Sequence, residues 1–227
     1  MAAAVGNLSP AAILGSVAAA RLLPPRSTVS FKTPSLLTRS LPSLRPIRPP
    51  GPQFQVRAAR TESGSVSLGF RAPYFELPEP LTGKVWKLDD FEPYPALLVM
   101  FICNHCPFVK HLKKDIVKLT NFYMGKGLAV VAISSNSTVT HPQSQDVARA
   151  FGAVCTPEFF LFKKDGRRPF ELFYRGRFDD SRPSNNVPIT GRDLSLAIDC
   201  ALSGQQLSSV QKPSVGCSIK WHPEKSQ

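Results

Sequence analysis

The chain has 227 residues, 28 of them Lys or Arg against 16 Asp or Glu, for a formal charge of +12. The excess sits at one end: residues 1–61 hold Arg21, Arg26, Lys32, Arg39, Arg45, Arg48, Arg57 and Arg60 and no acid, leaving 20 basic and 16 acidic residues beyond. That remainder is too balanced for a nucleic-acid surface, its apolar runs fall short of the ~20 residues of a membrane span, and five cysteines are an odd number for a disulfide-stapled scaffold.

Residues 1–60 are rich in Ala, Ser, Leu, Arg and Pro, and the first Arg follows the apolar stretch Ala11 to Ala20. A secretory signal places its basic residues before the apolar segment, so this composition is that of an organelle transit peptide, expected to be disordered. Sparse basic residues in its first third, and Val56-Arg57-Ala58-Ala59 as a processing site, favour the chloroplast stroma, with the mitochondrion as the alternative. The remaining ~167 residues suffice for one domain. We divide them into a domain over 61–209 and a C-terminal tail over 210–227.

In chain order, Ala72–Pro78 and Lys84–Leu88 read as short strands joined by a turn at Leu81-Thr82-Gly83, with Pro73 and Pro78 marking an edge. Ala96 to Ile102 is a continuous apolar run suited to a strand covered on both faces. After Pro107, the residues Phe108, Leu112, Ile116, Leu119 and Tyr123 recur at helical spacing, and Gly125 or Gly127 closes the helix. Leu128 to Ile133 is a second buried strand. Ser144 starts a short helix that stops at Gly152. Thr156-Pro157 opens a strand over Phe159–Phe162, and Phe170–Tyr174 returns antiparallel to it after Asp165-Gly166. Thr190 and Asp193 approximate a capping box for a last helix with Leu194, Ile198, Ala201 and Leu202 inward and Gly204 as its end. The order is an N-terminal hairpin followed by β-α-β-α-β-β-α.

Between the first buried strand and its helix stands Cys103-Asn104-His105-Cys106. Two thiols one helical turn apart can bond to each other, and a helix N-terminus favours thiolate. That is the arrangement for thiol–disulfide exchange. The other readings are a structural pair or half a zinc site, but the further Cys and His residues are scattered in sequence, so no metal is expected.

The C-x-x-C after the first buried strand and Thr156-Pro157 before the next hairpin resemble the thioredoxin fold, a central mixed sheet flanked by helices. Further stretches are similar to a redoxin subfamily of the alkyl hydroperoxide reductase/thiol-specific antioxidant (AhpC/TSA) superfamily: Ala72-Pro73-x-Phe75-x-Leu77, Gly83-Lys84-x-x-x-Leu88, Phe101 to Pro107, Phe178 to Pro183 and Gly216-Cys217-Ser218-Ile219-Lys220-Trp221. The resemblance implies Cys103 as attacking thiolate, Cys106 as resolving thiol, and Pro157 as a cis-proline that, with Thr156, packs on the disulfide and pairs with extended substrate. His105 before the second cysteine is similar to strongly oxidising disulfide-forming enzymes. An imidazolium there would stabilise the Cys103 thiolate and move the couple from about −270 mV toward −120 mV.

Three departures stand out. Leu97 occupies the position six before Cys103, where thioredoxin has a buried Asp, so proton transfer needs another route. The P-x-x-x-T-x-x-C of peroxiredoxins is absent. Redoxins of this type insert a helix and a strand where Ser135 to Gln143 is a nine-residue loop, so the chain is either trimmed back to a thioredoxin-like minimum or a shortened form whose sheet edge is exposed. Cys155 and Cys217 are candidate additional redox thiols; Cys200 reads as packing. The expected activity is thiol–disulfide oxidoreductase in plastid redox homeostasis, with no metal or organic cofactor. Its partners would be protein or small-molecule disulfides and a thiol reductant or oxidant, without nucleic acid or membrane. The alternatives are a peroxiredoxin-like thiol peroxidase and a non-catalytic redox sensor.

Overall fold

The computed structural model describes residues 2–5, 60–64, 67–136, 143–208 and 210–222. Its elements in chain order are β1 (Ala2–Val5), β2 (Arg60–Glu62), β3 (Glu76–Pro78), β4 (Val85–Lys87), β5 (Ala96–Ile102), α1 (Pro107–Met124), β6 (Leu128–Ser134), α2 (Gln143–Ala150), β7 (Cys155–Thr156), β8 (Glu158–Lys163), β9 (Glu171–Gly176), α3 (Arg192–Ser203) and β10 (Val215–Ser218). A 3-10 turn over Leu88–Phe91, which the sequence patterns do not flag, follows β4.

The main sheet runs β1-β6-β5-β8-β9, with β5 parallel to β6 and antiparallel to β8. Six of the seven residues of β5 are buried, because both faces of the sheet are covered. Alternation along the strand divides them. Leu97, Val99 and Phe101 join Phe75, Phe91, Phe151, Phe160 and Phe162 in a phenylalanine-rich core beside α2 and the β3–β4 hairpin. Ala96, Leu98 and Met100 face the opposite core with Leu112, Ile116 and Tyr123 of α1 and Leu194 and Ile198 of α3. This is a thioredoxin-like α/β fold, as expected. In α1 the buried residue of the first turn is Val109, with Phe108 half-buried.

Most of the segment read as a leader, residues 6–59, lies outside the described residues, as does the loop 137–142. Ala2–Val5 form β1, antiparallel to β6, with Ala2 opposite Ile133 and Val5 opposite Val130. Two expectations change with it. Disorder does not extend through residues 2–5, and the sheet edge left by the short 135–143 connection is covered. The cause is general: the outer backbone groups of β6 need partners, and any β-compatible segment supplies them. Arg60 likewise belongs to β2, so the folded part begins before 61.

Of the stretch read as a C-terminal tail, the described residues 210–222 are built into the fold. Strand β10 lies between β2 and β7 in a second, three-stranded sheet, with Cys217 opposite Thr156 and Ser218 opposite Cys155. Ile219 is buried in the phenylalanine-rich core, and Gln145 of α2 clamps the end by donating to Lys220 O at 2.8 Å and accepting from His222 N at 3.0 Å. Local pattern does not reveal this, since four residues with a Gly among them carry little strand signal.

The last helix is capped differently from the expected Thr190–Asp193 box. Gly191 is its N-cap at φ 63°, and the buried Asp179 carboxylate accepts from the N–H groups of Thr190 and Gly191 at 2.6 and 2.7 Å. An added Cβ at Gly191 would lie 2.8 Å from Leu119 and Phe178, which selects glycine twice over.

Candidate functional site

Strand β5 ends at Ile102 and α1 begins at Pro107, so Cys103–Cys106 form the turn between sheet and helix. Pro107 fits the first helical turn, where a missing N–H costs nothing. The residue at the N-cap is Cys106, not Cys103, which places the second thiol at the positive end of the helix. Cys103 and Cys106 are buried with Val109 and Cys217 in a small apolar cluster.

Thr156 faces both thiols. Its Oγ1 lies 3.5 Å from Cys103 Sγ, and its carbonyl accepts from Cys106 Sγ at 3.0 Å. The following Thr156–Pro157 peptide is cis. Chain direction explains the position: β7 pairs with β10, β8 pairs with β5, and Pro157 stands where the chain passes from one sheet to the other. A shallow recess beside Pro157 is lined by Leu112, Phe178, Arg182 and Val215.

The thiols ionise as a coupled set. Cys106 is lowered to about 7, first by its hydrogen bond with the Cys103 thiol and then by the Val109 N–H and the Thr156 hydroxyl, against burial and Cys217. Cys103 is raised to about 12, by that same hydrogen bond and by burial. The two thiols therefore titrate as a pair that shares a proton, not as independent groups.

His105 is exposed; a Cys103 thiolate is favoured first by the Thr156 hydroxyl and then by the backbone N–H groups of Cys106 and His105. Among the described residues, no hydrogen bond joins the His105 imidazole to either sulfur. His111, in the second turn of α1, contacts Ser181 Oγ at 2.7 Å. Asp179 is occupied with the backbone N–H groups of Ser181, Thr190 and Gly191, so this loop does turn chemistry.

Of the candidate extra thiols, Cys217 is at the site and Cys155 is beside it. Cys106 Sγ lies 3.0 Å from Cys217 Sγ. Cys155 is fully buried, with Sγ 3.8 Å from Glu158 Oε2 and 4.0 Å from Ser214 O. Burial, then the Glu158 charge, pushes its thiol far above the ordinary range, which suits a core residue. Among the described residues, no cluster of His, Cys, Asp or Glu is arranged to hold a metal ion.

Thr156, the residue before the cis-proline, stands opposite Cys217 of β10, and β7 is the edge strand of its sheet.

Sequence reading passed over the groups that hold this arrangement. Glu158 and Arg175 form a buried ion pair, with Arg175 Nε and Nη2 donating to Glu158 Oε1 at 2.9 and 2.6 Å. The other carboxylate oxygen accepts from Val154 N at 2.8 Å and Cys155 N at 3.3 Å, which fixes the chain leading into Thr156. Ser214 Oγ donates to Gly176 O at 2.6 Å and steers β10 toward the dithiol. The available signal was one acid and one base inside apolar strand runs, Glu158 before Phe159–Phe162 and Arg175 after Leu172–Tyr174.

Fold and dithiol together define a thioredoxin-like protein, and residues 92–176 match the model of the thioredoxin-like domain. A hypothetical protein from Sinorhizobium meliloti is 41% identical, covering 71% of this chain and 98% of that one, with a TM-score of 0.65. An uncharacterized conserved protein from Geobacillus kaustophilus is 40% identical, covering 74% and 98%, with a TM-score of 0.68. The chain belongs to the thioredoxin-like family that these two bacterial proteins share. A comparison with curated proteins found no significant match.

Proposed function

We propose that the protein is a thiol–disulfide oxidoreductase of the AhpC/TSA-like redoxin kind, acting in the plastid stroma on protein or small-molecule disulfides. The observation that carries this reading is a dithiol whose two sulfurs are both held by Thr156 at a helix N-terminus. Cys103 is the entering thiol, because Cys106 is enclosed by Thr156 O and Cys217 Sγ. The proton shared between the sulfurs moves to Cys106, and the Cys103 thiolate, now supported by the Thr156 hydroxyl and the Cys106 and His105 N–H groups, attacks one sulfur of the substrate disulfide. One substrate thiolate leaves and a mixed disulfide forms at Cys103. Cys106 then attacks Cys103 Sγ, forms the internal disulfide and expels the second substrate thiolate, which takes the Cys106 proton. Two electrons pass from the dithiol to the substrate. The missing acid at Leu97 is bypassed, since the proton needed first is stored within the thiol pair.

The plastid assignment rests on the composition of residues 1–60. Processing after Ala59 would also remove β1 and reopen the edge of β6.

The test is a titration of the protein in graded thiol/disulfide buffers, with free thiols alkylated and mapped. A reversible two-electron couple at Cys103 and Cys106, lost in Cys103→Ser for substrate turnover, is the expected result. Turnover that survives in Cys103→Ser would overturn the assignment.

A further inference from the structure

We infer that Cys217 is a third redox thiol, a second resolving residue that takes over Cys106 from Cys103 by internal disulfide exchange. The inference rests on the oxidoreductase reading of the dithiol and extends it to the fate of the first disulfide once it has closed.

Five observations carry it. Cys106 Sγ and Cys217 Sγ are 3.0 Å apart, inside van der Waals contact, and a disulfide at about 2.05 Å needs them only about 1 Å closer. Cys217 is 5% exposed and shares an apolar cluster with Cys103 and Cys106, so its partner is internal rather than a solvent molecule. Strand β10 lies along β7 with Cys217 opposite Thr156, so the chain itself presents a cysteine beside the residue that contacts both active sulfurs. That approach requires glycine next door: a Cβ on Gly216 would stand 2.1 Å from Thr156 O. The strand is anchored at its start by Ser214, whose N–H donates to Ser63 Oγ at 2.9 Å and whose hydroxyl donates to Gly176 O at 2.6 Å. It is anchored past its end by Ile219 N donating to Val154 O at 3.0 Å. Cys217 is thus held at Cys106 from both sides.

The exchange balances without an outside reagent. In protein carrying the Cys103–Cys106 disulfide, the Cys217 thiolate attacks Cys106 Sγ. The Cys106–Cys217 bond forms, the Cys103–Cys106 bond breaks, and Cys103 leaves as a thiolate that takes the proton given up by Cys217. No electrons enter or leave. Cys155, the other nearby thiol, is engaged with Glu158 and stays a thiol. The consequence is an oxidised protein whose entering thiol, Cys103, is free again. It can form a mixed disulfide with a second substrate, such as glutathione disulfide, before any reductant arrives.

The experiment uses the full chain, reduced and then equilibrated with oxidised glutathione, acid-quenched, alkylated and digested. Cys103 and Cys106 share one tryptic peptide, so their disulfide closes within it, whereas Cys106–Cys217 joins two peptides. The joined peptides are expected in wild type and in Cys103→Ser, and Cys217→Ala is expected to keep only the closed peptide. Cys103 in oxidised wild type should be alkylated or glutathionylated, and about tenfold less so in Cys217→Ala. If the joined peptides are absent from both wild type and Cys103→Ser, with Cys106 left free or glutathionylated in the latter, the relay is overturned. Failure of the dithiol reading looks different: Cys217→Ala would form no closed peptide at all.

Discussion

Replacing Gly216 with Ala tests how tightly β10 is seated against the dithiol loop. A Cβ there would lie 2.1 Å from Thr156 O and 2.6 Å from Thr156 C, where a tolerable carbon–oxygen approach is about 3.3 Å. The strand must retreat by roughly 1.2 Å, and the obstacle is backbone that cannot rotate away. Overpacking of this kind costs about 1–3 kcal/mol, and weakening one or two β10–β7 hydrogen bonds adds about 1 kcal/mol each. We expect a loss of about 3 kcal/mol, which for a domain of this size lowers Tm by roughly 6–12 °C. The assay is thermal unfolding of the reduced protein followed by circular dichroism. Gly64→Ala is the control, since nothing lies within 4 Å of a Cβ there and its φ lies outside the positive range. In a Cys103→Ser background the same change should also suppress the Cys106–Cys217 disulfide, as the sulfurs part beyond 3.0 Å. A Tm within about 2 °C of wild type would refute the packing and remove the geometric basis for Cys217 at the site.

Glu158→Leu strands the Arg175 guanidinium and orphans the Val154 and Cys155 N–H groups, so we expect a loss of about 3–5 kcal/mol in urea unfolding. Glu158→Leu with Arg175→Met should be more stable than Glu158→Leu alone; equal losses would show that the buried charge is not the cause. The thiols also make stability of the reduced protein depend on pH. Between the folded value of Cys106, about 7, and its unfolded value near 9, the unfolded chain holds the extra proton, so stability rises with pH. Above 9 the sign reverses, because Cys103, raised to about 12, and Cys155 keep protons that the unfolded chain has lost. Denaturation midpoints across roughly pH 6 to 10.5 should peak near 9, and Cys106→Ser should remove the rise; a rise that persists in that variant would assign it to other groups.

Local pattern carried much of the architecture. Ala96–Ile102 and Leu128–Ile133 read as buried strands, and the structure places strands at Ala96–Ile102 and Leu128–Ser134, because both faces of the sheet are covered and the runs are uniformly apolar. Turn glycines marked the end of α3 at Gly204, where φ is +72°. The dithiol was equally legible, since two cysteines at that spacing before a helix have little else to do. What escaped were relations between distant segments. Nothing near Cys217 in sequence says that its sulfur rests on Cys106, 111 residues earlier. Glu158 and Arg175 lie on adjacent strands and find each other only once β8 and β9 pair.

By itself, then, the chain's order of residues determined the strands β5, β6, β8 and β9, the helices, the dithiol and the Thr156-Pro157 junction, because these arise from hydrophobic periodicity, turn chemistry and short covalent spacing. Tertiary structure alone decided that the two thiols are coupled in a buried cluster, that His105 is exposed to solvent, and that β10 pairs with β7. Those outcomes depend on burial, on helix termini and on contacts closed through space, which no local window of sequence contains.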